Sequence, residues 1–95
     1  MNPLTSPRCC LTVEAENDPT VSARILQLLS VRGDIPEWVG VRKQRNDTLR
    51  VTVEIAGIAE EAATLLGKKI RNLPTVLDVS VSWLATRRPA ESAAA

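Results

Sequence analysis

A short polar loop, Glu16-Asn17-Asp18-Pro19-Thr20-Val21, has the residue types and spacing with the clearest chemical potential in this sequence. Asp18 is a good helix N-cap, because its carboxylate can accept free backbone N–H groups of a first turn, and Pro19 suits the first helical position. Those N–H groups and the positive end of the helix dipole can also bind a small anion. The loop predicts either a plain cap, which its residues alone favour, or a site for an amino-acid carboxylate.

Few other residues are of types that commonly catalyse reactions or bind metals. The sequence contains no His, which excludes histidine-liganded metals and histidine acid–base catalysis. Cys9 and Cys10 are the only cysteines, and as neighbours in a strand they point to opposite faces and have no C-x-x-C spacing. We read them as one buried small residue and one surface thiol. We therefore predict no catalytic residues, no metal site and no cofactor.

Composition narrows the classes of partner. The 95 residues include 12 basic and 11 acidic ones, and the net charge of +1 gives no electrostatic case for nucleic acid or an anionic membrane. There is no Phe or Tyr to stack on bases, no apolar run long enough to span a bilayer, and no signal peptide. We expect a single cytoplasmic domain that binds neither nucleic acid nor membrane.

Hydrophobic periodicity predicts four strands and two helices. Period-2 alternation marks the strands and 3.6-residue spacing the helices, in the order strand Cys9–Ala15, helix Thr20–Arg32, strands Trp38–Gln44 and Leu49–Ile55, helix Ala59–Leu73, and strand Val76–Trp83. In the last strand Leu77, Val79, Val81 and Trp83 are expected to face the core. Residues 1–8 are predicted to be a flexible leader, residues 9–83 the domain, and residues 84–95 a disordered tail.

The element order βαββαβ, with one apolar and one polar face on every strand, predicts an α+β ferredoxin-like fold. This is an open-faced sandwich: a four-stranded antiparallel sheet with two helices on one face. Right-handed crossovers place the first and third strands at the centre and the second and fourth at the edges. Such a widely used fold leaves function open.

Three users of this fold do not fit these residues. RNA-recognition domains need aromatic residues on the central strands, metal chaperones need C-x-x-C in the first loop, and acylphosphatases need an Arg there. The chain instead resembles the ACT domain in its first loop, in Ser22–Ile25, in Val31–Gly33 and in Leu73–Val79. It is most similar to the N-terminal ACT domain of the acetolactate synthase small subunit, through Glu16-Asn17 and through Arg32-Gly33 with Glu37.

The resemblance implies a regulatory or interaction subunit without its own catalytic site. It would accompany a larger catalytic subunit of a branched-chain amino-acid biosynthetic enzyme of the acetolactate synthase type. The alternative is a stand-alone amino-acid sensor. The implied ligand-binding residues are Asn17, Asp18, Thr20 and Val21 of one subunit, with Val39 on the edge strand of another. Thr20 replaces a usual Gly and Pro36 removes a usual N–H donor, so we expect weak or absent binding of valine, leucine and isoleucine.

The second strand is the expected subunit interface. ACT-like domains often join such edges into one eight-stranded sheet, so we expect a homodimer through this edge, with Trp38, Gly40 and Arg42 as interface candidates. Trp38 could equally pack over the rim of the sheet. Trp83 is expected to pack in the core or at the sheet end, and the basic run Arg42–Arg45 is better explained as a solvated hairpin end than as a phosphate site.

Overall fold

The computed structural model describes residues 7–84 and contains the six expected elements in the expected order. They are β1 (Arg8–Glu16), α1 (Val21–Arg32), β2 (Trp38–Lys43), β3 (Thr48–Ala56), α2 (Glu60–Arg71) and β4 (Val76–Leu84). The strands form one antiparallel sheet in the order β2-β3-β1-β4. The ferredoxin-like fold is thus confirmed, with β1 and β3 at the centre and β2 and β4 at the edges.

Alternation along the strands divides the sheet into two faces. The helix-covered face carries the odd-numbered residues of β1 and β3, and all of them from Cys9 to Ala15 and from Leu49 to Ile55 are buried. Together with the apolar side of the two helices they form the core, whose helical members are Val21, Ile25, Leu29, Ala63, Leu66 and Ile70. The opposite face, which we call the open face, carries Cys10, Thr12 and Glu14 of β1 and their neighbours in register.

The ends of the helices follow from their sequences. Gly33 ends α1 in the left-handed conformation (φ 84°), and its N–H donates to the Ser30 carbonyl at 3.0 Å, a common helix stop. Helix α2 has Glu60 and Glu61 in its first turn and basic residues in its last, which complements the helix dipole. It ends at Arg71, two residues before the predicted Leu73.

Several boundary residues differ from expectation. Arg8, assigned to the leader, is a buried residue of β1 that forms an ion pair with Glu37, and Leu84, assigned to the tail, ends β4. Residues 1–6 of the predicted leader and 85–95 of the predicted tail lie outside the described residues.

The expected inward face of β4 is partly wrong. The register shifts so that Ala15 pairs with Val76, which leaves Leu77 as an extra residue in β4. Leu77 is therefore 57% exposed, and of the four residues expected to face the core only Val79 is buried. Trp83 is 40% exposed and lies on the edge strand, opposite Cys9.

Candidate functional site

The loop between β1 and α1 lies where the carboxyl end of β1 meets the β2–β3 hairpin and the start of β4. Glu16 is in register with Thr48, and its N–H donates to the Thr75 carbonyl at 2.9 Å. A shallow groove of about 580 Å³ opens beside the loop and is lined by residues of all three segments. The topology therefore gathers polar side chains that are far apart in sequence.

Asp18 is the centre of this cluster. Its Oδ1 accepts the backbone N–H of Thr20 at 2.9 Å and the Thr20 hydroxyl at 2.8 Å, and its Oδ2 accepts the Thr75 hydroxyl at 2.8 Å. The Thr20 backbone N–H, followed by the Thr20 and Thr75 hydroxyls, lowers the pKa of the Asp18 carboxyl below its ordinary value of 3.8. Asp18 thus remains an anion throughout the neutral range.

The Asp18 carboxylate accepts a backbone N–H, as expected of a capping residue, but the helix begins later than expected. Helix α1 starts at Val21. Thr20 is its N-cap residue, and Pro19 lies in the preceding turn. The Asp18 carbonyl accepts the Val21 N–H at 3.2 Å, which adds a tight turn before the regular helix. Asp18, three residues before the first helical residue, therefore supplies its carboxylate to the Thr20 N–H and its carbonyl to the Val21 N–H.

The three donors predicted to hold an amino-acid carboxylate are all engaged within the chain. Asn17 Nδ2 donates to Asp47 Oδ1 at 2.9 Å, and the N–H groups of Thr20 and Val21 donate to Asp18 as described. Thr20 Oγ1 also accepts a hydrogen bond from Arg24 Nε at 3.2 Å. The carboxylate of Asp18 accepts the Thr20 N–H, its carbonyl accepts the Val21 N–H, and Asp47 accepts the Asn17 amide, so each of the three predicted donors already has an acceptor in the chain.

The electrostatics of the groove also oppose an anionic ligand. Its lining residues include three carboxylates, those of Glu16, Asp18 and Asp47, and no Lys or Arg. The carboxylate of a ligand at this point would meet these like charges at short range. The groove as it stands is a poor receptor for the carboxylate of a free amino acid.

Val39 is not close to this loop in its own chain. It lies on β2 in register with Val53 and, through it, with Leu11, whereas the loop follows Glu16 five residues farther along β1. Val39 and Val41 belong to the helix-covered face but are 36% and 52% exposed, since β2 is an edge strand. The structure thus brings together Asn17, Asp18, Thr20 and Val21, and places Val39 elsewhere on the sheet.

The three predicted interface residues line up on the open face of β2. Trp38 lies over Gly40, so that a Cβ built at Gly40 would come within 2.3 Å of the indole Cη2. Gly40 therefore allows the indole to lie flat along its own strand. Trp38, Gly40 and Arg42 border a groove of about 700 Å³ that reaches across the open face to Cys10.

Sequence reasoning missed Asp47 and Thr75 as members of the loop cluster. Both follow from topology, which puts the hairpin turn and the start of β4 beside the end of β1. Glu54 lies on the polar face of β3, where a carboxylate would ordinarily be exposed, yet it is fully buried, in register with Trp38 on one side and Cys10 on the other. The alternation along β2 and β3 places Trp38 and Glu54 on the same face, but their contact can be inferred only when the register of the two strands is known.

The two cysteines have the predicted environments. Cys9 is fully buried in the core, and Cys10 is partly exposed on the open face; neither forms a disulfide. Burial, followed by the neighbouring Cys10, raises the pKa of the Cys9 thiol to about 11. Between residues 7 and 84 no cluster of His, Cys, Asp or Glu could hold a metal ion, and no helix there is long and apolar enough to cross a membrane.

Comparison with known proteins agrees with this architecture. No curated protein matches the chain at a significant level. The C-terminal domain of the MgtC protein from Mycobacterium tuberculosis has a similar structure, with a TM-score of 0.73 and 14% identity over 94% of this chain and 99% of that one. The ACT domain of the GTP pyrophosphokinase from Chlorobium tepidum also has a similar structure, with a TM-score of 0.67 and 13% identity over 79% of this chain and 96% of that one.

A third similar structure is the homoserine dehydrogenase from Thiobacillus denitrificans, with a TM-score of 0.65 and 17% identity. The match covers 88% of this chain but 19% of the dehydrogenase chain, so there the same fold makes up a small part of a larger enzyme. At these identities the likenesses establish the fold alone. The sequence profile of the ACT-like domain family matches residues 6–88, which is most of the sequence. The chain therefore belongs to the ACT-like domain family of regulatory, amino-acid-binding modules.

Proposed function

We propose that this chain is a regulatory subunit that acts chiefly by binding a larger catalytic protein and that contributes no catalytic group itself. Its partner would be a branched-chain amino-acid biosynthetic enzyme of the acetolactate synthase type, as the first loop and the Arg32-Gly33 segment suggest. The observation that supports the proposal is the internal carboxylate of Asp18, which accepts the Thr20 N–H that was expected to bind a ligand carboxylate. If the N–H groups that would bind a ligand are already hydrogen-bonded within the chain, the domain would regulate its partner mainly by binding to it.

The edge strand β2 supports assembly. It exposes Val39 and Val41 and lies at the edge of the sheet that residues 7–84 form, and both features favour pairing with another edge. We propose a homodimer in which two β2 strands join side by side into one continuous sheet. The catalytic partner would then bind this dimer.

Calorimetry tests the state of the ligand position. We expect no measurable binding of valine, leucine or isoleucine to the wild-type chain at micromolar concentrations. Asp18→Ala removes the internal carboxylate and frees the Thr20 N–H, so weak amino-acid binding is expected to appear in this variant. Thr20→Gly, which opens the backbone, should act in the same direction, while Glu61→Ala on α2 is the matched control and should bind nothing.

Co-purification from the source organism tests the partner. We expect a large thiamine-diphosphate-dependent protein with acetolactate-forming activity to elute with the tagged chain. Micromolar binding of a branched-chain amino acid to the wild-type chain, lost in Asn17→Ala and with no such partner present, would contradict the proposal. That result would identify a stand-alone amino-acid sensor instead.

A further inference from the structure

A row of four charged residues crosses the open face from edge to edge. In register order from β2 to β4 the row reads Arg42, Arg50, Glu14 and Asp78. We call it the charged row. Both positive charges lie on the β2 side and both negative charges on the β4 side. The row therefore has the pattern plus, plus, minus, minus.

This pattern is unfavourable at its two ends within one chain. Arg42 is directly opposite Arg50, and Glu14 is directly opposite Asp78, and like charges at directly opposed positions of antiparallel strands repel. Only the middle of the row is well paired, because Arg50 Nη2 lies 2.8 Å from Glu14 Oε1. The outer charges, Arg42 and Asp78, are left with weak intrachain compensation.

The outer charges are also accessible. Asp78 has one ion pair, a long contact of 3.8 Å with Arg71, and its side chain is 67% exposed. The Arg42 side chain is exposed and has no ion pair or hydrogen bond with any residue from 7 to 84. Both are thus available to charges supplied from outside the chain.

A two-fold axis that runs parallel to the strands, between β1 and β3, reverses the charged row. Two open faces related by this axis place Arg42 over Asp78 and Arg50 over Glu14, in both directions. All four like-charge neighbours then gain an opposite charge across the interface. The row is therefore complementary to a second copy of itself.

The other rows of the open face match in size under the same operation. The next row, Gly40, Thr52, Thr12 and Ser80, contains only small side chains, which lets two sheets approach to the usual distance of about 10 Å. In the row beyond it, the bulky Trp38 of one copy lies over the small Ser82 of the other. Large residues thus meet small ones.

We propose that a second copy of this chain packs on the open face, with Arg42 of each copy paired with Asp78 of the other. This contact goes beyond the proposed function, because it uses the face of the sheet and leaves the β2 edge available. Four strands about 4.8 Å apart and roughly eight residues long bury about 500 Å² per chain. The total of about 1,000 Å² is at the lower end for specific interfaces, so the contact is reversible and sensitive to salt.

Charge reversal with rescue tests the proposal by analytical ultracentrifugation at about 100 μM chain. Arg42→Glu and Asp78→Arg each oppose like charges across the interface, so each is expected to halve the wild-type mass. The double variant restores opposite charges in the reversed order and is expected to return the mass to the wild-type value. Glu61→Arg on α2 is the matched control and should leave the mass unchanged.

Each single reversal replaces a like-charge neighbour within the sheet by an opposite one, and the Arg71 contact that Asp78→Arg loses is long and exposed, so the variants are expected to fold. Circular dichroism is expected to match the wild type. Raising the salt to 1 M, where the Debye length is about 3 Å, is expected to lower the wild-type mass in the same way as the single variants.

Val41→Lys examines the β2 edge contact separately, because Val41 lies on the other face. If Val41→Lys lowers the mass and neither Arg42→Glu nor Asp78→Arg does, the edge contact exists and the face contact does not. A lower mass for Arg42→Glu but not for Asp78→Arg would likewise overturn the face contact. Failure of the double variant to restore the mass would also overturn it, and would favour a small anion held by the two arginines.

Discussion

The loop before α1 and the loop before α2 occupy equivalent places in the two halves of the fold, yet they begin their helices differently. In the first, the Asp18 carboxylate accepts one backbone N–H and two hydroxyls. In the second, Ala59 has the extended backbone of an N-cap (ψ 150°) but no side-chain acceptor, and the acidic first turn of α2 acts through the dipole alone. Side-chain hydrogen bonds to a carboxylate therefore stabilise the start of α1 but not that of α2, so the fold does not require them at both helices.

The comparison holds only if the two helices are equally anchored in the core. Ile25 of α1 and Leu66 of α2 are both fully buried, so Ile25→Ala and Leu66→Ala are each expected to lower the free energy of unfolding by about 2–5 kcal/mol. Urea unfolding measures both. A loss of under 1 kcal/mol for either variant would show that its helix is held mainly by its loop.

Adding the missing cap should make the two loops alike. Ala59→Asp places an acceptor at the extended N-cap position of the 12-residue helix α2, and should raise the free energy of unfolding by about 1 kcal/mol. Ala59→Val is the control, since it changes the side chain without adding an acceptor. An equal effect of both variants in urea unfolding would contradict the capping explanation.

The smallest effect is expected at the first loop, because Asp18 is only partly buried. Its folded-state pKa is lowered, so its charge stabilises the fold above the ordinary pKa of 3.8 and this contribution is lost as the pH falls through the lowered value. Asp18→Asn keeps an acceptor but removes the charge. Its melting temperature should be below that of the wild type at pH 6 and should converge with it in strong acid.

The control for the pH series is Glu61→Gln, which removes one negative charge from α2. A difference between wild type and Asp18→Asn that persists unchanged to pH 2 would mean that the charge of Asp18 is not the cause. The same result with Glu61→Gln would point to net charge rather than to the loop.

The sequence alone predicted the fold and its strand order, because alternation and helical spacing are strong in every element. It could not predict details that depend on pairing between distant segments. The exposure of Leu77 follows from a register shift opposite Ala15, and the burial of Glu54 from its position between Trp38 and Cys10. The loop was recognised, but the hydrogen bonds of Asp18 to Thr75 and of Asn17 to Asp47 join segments about 30 or more residues apart.

The extra residue in β4 has a consequence for how the sheet can grow. A bulge interrupts the regular row of backbone donors and acceptors and twists the strand, so β4 is a poor template for another strand, whereas the register of β2 with β3 is regular over its whole length. A sheet with two regular edges could add copies at both sides and extend into a fibril. Because β4 is irregular, the edge pairing proposed for β2 would join two chains in one sheet and no more, and Leu77 would limit growth of that sheet at its β4 edge.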